Sequence, residues 1–328
     1  MSHHITIPIN ENGIIFDGAM SGVIAEAIAV SPFGFDDVYV FSHGWSTDAY
    51  RALDEYNKFS VELARQLLVL GAQAPGPFAK PPRDSLSIGI HWPSEITEDP
   101  NSDLNALQLF TFYTMEHRAD AVGRNAVYSI IRSLLQARAN TSSPLRIFLL
   151  GHSFGCKVVC SALQDVQTDI ANKTIGVAAG TSFRVVLLEP ATDHDNLDPG
   201  DVYGDVSKID GLRLLLTTSS LDLALTRWYV LAGKAANVFK TPEQALGAAG
   251  PTQATVDAFG GSDAVSVAPG FAPADTARLT KRLVVADLTP VHQARKDQGI
   301  SEGDKFSGSH SDINFSEIYN MISGFFFS

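Results

Sequence analysis

The chain has 328 residues, of which 45% are hydrophobic and 18% are charged, and this balance excludes a disordered tail and a fibrous repeat. Lys and Arg number 24 against 36 Asp and Glu, so the formal net charge is −12. A surface this acidic repels phosphate backbones and anionic lipids, and we therefore expect no nucleic-acid partner.

Short apolar runs alternate with stretches of helical spacing along the chain. The runs are short and almost continuously apolar, which is typical of strands that are covered on both faces. In chain order the pattern predicts strand 37–42, helix 47–71, strand 85–92, helix 103–138, strand 145–151, helix 154–167, strands 183–189, 212–218 and 282–288, and a closing helix 311–324. This alternation predicts an α/β fold with a mostly parallel central sheet, flanked by helices on both faces, in a single domain over 1–328.

Two segments fit the alternation less well. Residues 93–121 carry a dense apolar patch, and residues 233–275 are rich in Ala and Gly with several prolines. Each is a candidate cap element over an active site, and buried helix is the alternative. The apolar tail at 325–327 is too short to span a membrane, so we expect it to dock on the body or to mark a contact site.

The strongest chemical signal is Gly151-His152-Ser153-Phe154-Gly155, which follows a predicted strand and opens a predicted helix. G-x-S-x-G in this context is the nucleophile elbow of a hydrolase. The turn is so tight that the residues two before and two after the serine must be small. The free N–H groups and the positive dipole end of the helix face the serine, and we expect Ser153 to be a nucleophile.

A serine hydroxyl needs a base within hydrogen-bond reach, and on this fold the order along the chain is serine, acid, histidine. His310 follows the last predicted strand and precedes the final helix, so a loop can carry it to the carboxyl edge of the sheet. We favour His310 as the base. His292 is the competitor, and His194 fits the order poorly; for both we prefer a surface or satisfied buried role.

The base needs an orienting carboxylate that accepts the imidazole N–H. Asp222 lies four residues past the strand 212–218, and we favour it as the acid. The alternatives are the carboxylates that follow the preceding strand and one inside a strand-like run: Glu189, Asp193, Asp195 and Asp287.

The developing oxyanion needs two backbone N–H groups. One is expected from Phe154, directly after the nucleophile, and the other from the loop after the first central strand. In that loop His43 and Gly44 form a flexible turn, and the next residue, Trp45, would present its N–H to the oxyanion.

The motifs FSHGWS, IHWPSE and LGHSFG, followed downstream by SSLDLAL and SGSHSDI, resemble the α/β-hydrolase superfamily. Within it they are similar to a bacterial branch of esterase/lipase-like proteins whose role is largely unassigned. The resemblance runs from about residue 36 to 320, which is nearly the whole chain.

The resemblance implies a catalytic triad of Ser153, Asp222 and His310, with Trp45 and Phe154 as oxyanion donors. Residues of the same motifs are expected to line the substrate pocket: His43, Gly44, His152 and Trp92.

We predict a serine hydrolase that cleaves a carboxylic ester through an acyl-enzyme. A serine amidase or peptidase and a thioesterase stay open, because one triad serves all of these reactions. A non-catalytic binding protein on the same fold is the alternative from another class. The expected partner is a small-molecule or lipid-like acyl substrate, and a homo-oligomer is left open.

Several motifs are absent from the sequence. No G-x-G-x-x-G follows a strand, and no P-loop and no HExxH appear, so we expect no cofactor and no metal. The N-terminal residues lack the basic and apolar regions of a signal peptide, and no apolar stretch has membrane-spanning length. We expect a cytoplasmic protein without a membrane span.

Overall fold

The computed structural model describes residues 2–15, 35–45, 47–73, 85–94, 114–139, 144–231, 244–301 and 307–328. Within these ranges eight strands form one sheet in which every neighbouring pair is parallel. The strands are β1 (Ser2–Pro8), β2 (Asp37–Ser42), β3 (Ser85–His91), β4 (Arg146–His152), β5 (Ser182–Leu188), β6 (Leu212–Thr218), β7 (Ser262–Ser266) and β8 (Leu283–Asp287).

The order across the sheet is β1-β3-β2-β4-β5-β6-β8-β7. Since all eight strands point the same way, their carboxyl ends meet at one edge. In open α/β sheets this is the edge whose loops carry functional side chains. The candidate residues on the loops after β2, β4, β5, β6 and β8 are therefore delivered to one side of the molecule.

Most of the helices lie between the strands along the chain. They are α1 (Ala49–Gln73), α2 (Tyr128–Ala139), α3 (Gly155–Ala171), α4 (Leu246–Ala249), α5 (Gln253–Ala258), α6 (Pro273–Ala277), α7 (Thr289–Asp297) and α8 (Ser316–Phe326). Residues 114–122 are also helical and continue through a π-helical turn, Gly123–Val127, into α2.

The two faces of the sheet carry separate hydrophobic clusters. Val38 and Val40 of β2 pack in the cluster that contains α2 and α3, whereas Tyr39 and Phe41 pack in the cluster that contains α1 and α8. Successive side chains of a strand point to opposite faces, so one apolar run covers both clusters. Helices on both faces of a parallel sheet confirm the predicted α/β class.

All six predicted strands are present, and where their ends differ from the prediction they differ by one residue. β1 and β7 were not predicted. Both lie at the edges of the sheet, where one flank has no strand partner in the described structure. β7 alternates between exposed and half-buried residues, and β1 mixes polar and apolar residues. Neither edge strand therefore shows the continuous apolar run that marks the central strands.

The candidate cap elements lie partly outside the described residues, which exclude 95–113 and 232–243. The described part of 233–275 contains β7 and short helices. β7 extends the sheet, while α4 lies against the carboxyl ends of β5 and β6, where the Gly247 amide donates to Pro190 O and the Ser219 amide donates to Gly247 O. Among the helices in the described ranges, none combines the length and the apolar composition needed to cross a bilayer.

The C-terminal phenylalanines dock on the body of the protein, which was the first of the two expectations for this segment. Phe325, Phe326 and Phe327 are all buried in the cluster on the α1 side of the sheet. Phe148 of β4 contacts the rings of Phe326 and Phe327 at centroid distances of 5.0 and 5.7 Å. The tail therefore closes the core beneath the strand that carries the predicted nucleophile.

Candidate active site

Ser153 lies at the tip of a sharp turn between the end of β4 and the start of α3. Its backbone is left-handed, with a φ of 55°, a region that non-glycine residues rarely adopt. Its amide donates a 3.0 Å hydrogen bond to the carbonyl of Leu188 at the end of the neighbouring strand β5. The turn is thereby tied to the carboxyl edge of the sheet.

Glycines on both sides permit this turn. A Cβ on Gly151 would lie 2.5 Å from the Gly155 carbonyl oxygen, and a Cβ on Gly155 would lie 2.2 Å from the carbonyl oxygen of Ser42 in β2. Atoms in real side chains do not approach backbone so closely, so either side chain would force the turn apart. This steric limit explains the glycine spacing seen in the sequence.

Three predicted residues from three different loops meet through hydrogen bonds. Ser153 Oγ lies 2.8 Å from His310 Nε2, and Nδ1 of the same ring lies 2.6 Å from Asp222 Oδ2. Because a carboxylate only accepts hydrogen bonds, Nδ1 carries the proton and Nε2 accepts from the serine hydroxyl. The structure therefore brings Ser153, His310 and Asp222 together.

The Asp222 carboxylate is held by its own loop. The side chain is completely buried, and its Oδ1 accepts a 2.9 Å hydrogen bond from the Leu225 amide three residues later. This is the pattern by which an aspartate caps a helical turn, here the π-helical turn Ala224–Trp228. The hydrogen bond from the Leu225 amide fixes Oδ1, and Oδ2 is directed at His310.

The loop that carries His310 pairs with the loop that carries Asp222. Asp222 and Gly308 form an antiparallel bridge, and a Cβ on Gly308 would lie 2.3 Å from the Leu221 carbonyl oxygen. We did not single out Gly308 from the sequence, although a glycine two residues before the predicted base was a visible signal. The flanking bonds run from Leu223 N to Ser307 O and from Ser309 N to Leu221 O, both at 3.1 Å.

His152 supports the same loop from the elbow. Its Nε2 lies 2.9 Å from the His310 carbonyl oxygen, which can only accept, so Nε2 carries the proton. Burial, reinforced by the nearby His310 ring, lowers the pKa of His152 to about 3. The side chain therefore stays neutral and holds the backbone of His310 in place.

The loop after β2 lies directly against the nucleophile. A Cβ on Gly44 would sit 2.8 Å from Ser153 Cβ, so only glycine allows this approach. Half-buried Trp45 follows Gly44, and buried Phe154 follows Ser153 at the start of α3. The two residues predicted to supply oxyanion donors thus belong to the backbone segments on either side of Ser153.

His43 and Trp92 are buried and are hydrogen-bonded to each other. Their rings stack at a centroid distance of 5.3 Å, the Trp92 amide donates to His43 Nε2 at 3.3 Å, and the Trp92 indole donates to the His43 carbonyl at 3.2 Å. Burial lowers the pKa of His43 to about 3. These contacts hold the turn at Gly44, and the pocket-lining role of His43, Gly44, His152 and Trp92 stays a prediction.

The side chain of the main competing histidine has other partners. His292 is buried, with Nδ1 2.9 Å from Ser219 Oγ and Nε2 3.2 Å from the Asp312 carbonyl oxygen. This is the satisfied buried role preferred for it. His194 is half-buried, and its amide donates to the Gln244 carbonyl.

Two of the competing carboxylates are likewise engaged elsewhere. Asp193 accepts a 2.8 Å hydrogen bond from the Tyr229 hydroxyl. Asp287 accepts a 2.9 Å bond from the Thr289 amide. Asp195 is half-buried in the same loop as Asp193.

Glu189, the remaining competitor, lies directly beside the site. It follows β5 in a left-handed conformation with a φ of 45°, and its side chain is completely buried. Its Oε2 lies 4.0 Å from His310 Nδ1, and its Oε1 lies 3.7 Å from His292 Nδ1. Neither oxygen has a hydrogen-bond partner among the described residues. Burial, together with the negative charge of Asp222, holds its pKa well above the ordinary range.

One group of side chains in the described structure has the composition of a metal site. Ligand atoms of His152, Glu189 and His310 lie within 4.8 Å of one another. Both ring nitrogens of His310 are already hydrogen-bonded to Ser153 and Asp222. A metal ion would therefore have to displace one of these bonds, and the arrangement fits the serine chemistry better than it fits metal coordination.

Comparison with protein families places this geometry in context. Residues 28–240, more than half of the chain, match a family described as alpha/beta hydrolase of unknown function (DUF900). Ser153 and Asp222 lie within the matched residues and His310 lies beyond them. A search of curated proteins found no match.

Proposed function

The chain belongs to this family of α/β-hydrolases, and on that premise we propose that it is a serine hydrolase that cleaves a carboxylic ester through Ser153, His310 and Asp222. The observation that carries the proposal is the unbroken pair of hydrogen bonds, 2.8 Å from Ser153 to His310 and 2.6 Å from His310 to Asp222. We treat residues 1–328 as one hydrolase domain.

In the proposed reaction His310 Nε2 takes the proton of Ser153 as Oγ attacks the acyl carbonyl. The Oγ–C bond forms, and the carbonyl electron pair moves onto oxygen. Asp222 keeps the proton of His310 on Nδ1 and stabilises the imidazolium. The carbonyl then re-forms as the ester C–O bond breaks, and the imidazolium gives its Nε2 proton to the departing alkoxide oxygen. Water repeats the cycle on the acyl-enzyme and releases the acid and Ser153.

The developing oxyanion would rest on the backbone N–H groups of Trp45 and Phe154. Removing one such donor typically costs about 2.7–4 kcal/mol of transition-state stabilisation. Two features support this placement: the close approach of Gly44 to Ser153 and the position of Phe154 at the start of α3. The helix dipole adds a positive field at the same point.

We place carboxylic esters first because the same serine chemistry expels an alkoxide from a tetrahedral intermediate more easily than it expels an amine. A small-molecule or lipid-like acyl ester is the proposed substrate. Amidase, peptidase and thioesterase activity remain the alternatives on the same residues, and a non-catalytic binding protein is the alternative from another class.

The test is labelling with a fluorophosphonate probe, followed by identification of the modified residue. We expect the wild type to be labelled at Ser153 and Ser153→Ala to be unlabelled, whereas Ser266→Ala, which changes an exposed serine of edge strand β7, should label like the wild type. Failure of the folded wild type to label would overturn the proposal in favour of a binding role.

A second comparison separates ester from amide chemistry. The p-nitrophenyl ester and the p-nitroanilide of the same acyl group are hydrolysed side by side, over short and medium acyl chains. We expect the ester to be turned over much faster. Comparable rates on the anilide would move the assignment to an amidase.

A further inference from the structure

The proposed triad leaves Glu189 unexplained, although its conformation is costly in three ways. A left-handed backbone, here at a φ of 45°, is unfavourable for a residue other than glycine. The carboxyl group is completely buried, and neither of its oxygens has a hydrogen-bond partner among the described residues. Such costs are retained chiefly where the residue serves a function.

The protons around Glu189 can be assigned from its neighbours. The Asp312 carbonyl accepts from His292 Nε2, so this nitrogen carries the proton and His292 Nδ1 is left with a lone pair. That lone pair accepts from the Ser219 hydroxyl and faces Glu189 Oε1 at 3.7 Å. His292 Nδ1 therefore offers no proton to Glu189 Oε1, and an ionised oxygen would gain no hydrogen bond from it.

The other carboxyl oxygen faces a donor. His310 Nδ1 carries a proton, which it donates to Asp222 at 2.6 Å, and Glu189 Oε2 lies 4.0 Å from the same nitrogen. The N–H of His310 therefore faces two carboxyl groups, of which Asp222 is hydrogen-bonded to it and Glu189 lies beyond hydrogen-bond distance. The two carboxyl groups come from the ends of adjacent strands, β5 and β6.

Two buried carboxyl groups that both lie within 4.0 Å of one ring nitrogen do not readily ionise together, because like charges in a low-dielectric interior repel strongly. The effect of Asp222 on Glu189 is in this direction, since its charge, after burial, raises the pKa of Glu189. Removing the charge from Asp222 removes that repulsion. Glu189 can then ionise at a lower pH, with its proton passing to bulk water, and the resulting carboxylate faces His310.

We propose that Glu189 is a second positioning acid for His310, which shares one negative charge with Asp222 and takes over its role when Asp222 carries none. This inference rests on the proposed serine-hydrolase function. Glu189 acts through His310 and does not touch the reacting atoms.

The test is a double-mutant cycle on ester hydrolysis with Asp222→Asn, Glu189→Gln and the double variant. Loss of the triad aspartate typically lowers kcat about 10⁴-fold. Here we expect Asp222→Asn to lose only about 100-fold, the double variant about 10⁴-fold, and Glu189→Gln alone roughly threefold. Gln is the matched substitution, since it keeps the shape and neutral charge of a protonated Glu189.

Asp195→Asn on the Asp222→Asn background is the control for simply losing another carboxylate from the same loop. It should add no further loss. If Asp222→Asn does not fold, Asp222→Ser replaces it, because a serine hydroxyl can still accept from the Leu225 amide while carrying no charge.

The pH dependence distinguishes a positioning acid from a merely structural residue. In Asp222→Asn the charge must come from ionised Glu189, so kcat should show a rise with pH that the wild type lacks. The double variant should lack that rise. The titratable groups that face Glu189 from the surrounding elements are Asp222, Asp312, His292, His310 and the Cys156 thiol.

Equal losses in Asp222→Asn and the double variant would overturn the inference, as would a pH profile of Asp222→Asn that the added Glu189→Gln substitution leaves unchanged. Both outcomes require a wild type that is labelled at Ser153 and active. A wild type that fails to label overturns the proposed function first, so the two failures are told apart by the fluorophosphonate result.

Discussion

The ends of strands β4 and β5 carry the same unusual backbone and very different side chains. Ser153 has a φ of 55° and Glu189 a φ of 45°, both are buried, and the amide of Ser153 donates to the residue just before Glu189. The serine hydroxyl is bonded to His310, whereas the carboxyl of Glu189 has no bonded partner among the described residues. Backbone strain therefore marks both positions, and only the side chain separates the proposed nucleophile from the proposed positioning acid.

The two positions also differ in what allows the strain. Ser153 has glycines two residues to either side, and both are required by backbone contacts. At Glu189 the relief comes from a distant residue, Gly247 of α4, where a Cβ would lie 2.8 Å from the Glu189 carbonyl carbon. A local pattern supports one strained residue, and tertiary packing supports the other.

The largest expected difference between the two positions is in activity. Removal of a triad serine lowers kcat by roughly 10⁶-fold, and we expect this of Ser153→Ala. Glu189→Gln should lose only roughly threefold, because Gln preserves the neutral state of the carboxyl group. Steady-state hydrolysis of a p-nitrophenyl ester measures both. A loss of similar size in the two variants would show that Glu189, not Asp222, is the main acid.

The next effect is on folding stability and concerns the glycines of the elbow. Gly155→Ala places a Cβ 2.2 Å from the carbonyl oxygen of Ser42. We expect a loss of about 3 kcal/mol in the free energy of unfolding, since the strand backbone cannot move away cheaply. Urea unfolding measures it.

The matched control is Gly176→Ala, where the new Cβ would meet only the Ala139 methyl group at an ordinary 3.4 Å. This exposed position should change stability by less than about 0.5 kcal/mol. Equal effects at the two glycines would mean that the elbow is not sterically constrained.

A smaller effect is the change in the folding stability of Glu189→Gln, relative to the wild type, with pH. The pKa of Glu189 is raised well above its ordinary value of 4.5, so the folded protein keeps a proton that the unfolded chain has lost. The free energy of unfolding includes the full contribution of this proton below pH 4.5. As the pH rises above 4.5 the contribution falls, by up to about 1.4 kcal/mol per pH unit. Gln has no proton to lose.

Glu189→Gln should therefore gain stability relative to the wild type as the pH rises from about 5 to about 8. Urea unfolding at several pH values gives the difference between the two proteins. A difference that stays constant with pH would mean that Glu189 titrates in the same way in the folded and unfolded states.

The sequence allowed the central strands and the elbow to be predicted for one physical reason. Both are local: a strand buried on two faces is apolar throughout, and a tight turn needs small residues at fixed distances. The edge strands β1 and β7 were missed because each has mixed polar and apolar residues. The order of elements on the fold then led to His310 and Asp222.

The environment of Glu189 could not be predicted in this way. Its amide donates to Thr217 of β6, its carboxyl faces His292 of α7, and its backbone packs against Gly247. These neighbours are far apart along the chain and carry no shared motif. The one visible signal was a carboxylate at the end of a continuous apolar run, and it identified Glu189 only as an alternative acid.

The smallest expected effect isolates the backbone strain itself. Among the described residues, three that are not glycine have a positive φ, and the third is Lys173 at 58°, just after α3. Glycine adopts this conformation without the steric penalty, so Ser153→Gly and Lys173→Gly should each stabilise the protein by about 1 kcal/mol, less the entropy that glycine loses on folding. Thermal unfolding measures both, and only Ser153→Gly should abolish ester hydrolysis. Lys173→Gly could stabilise the protein while Ser153→Gly does not. In that case the hydrogen bond from the Ser153 hydroxyl to His310 contributes as much stability as the left-handed backbone of Ser153 costs. The strain at the elbow would then be offset within the site.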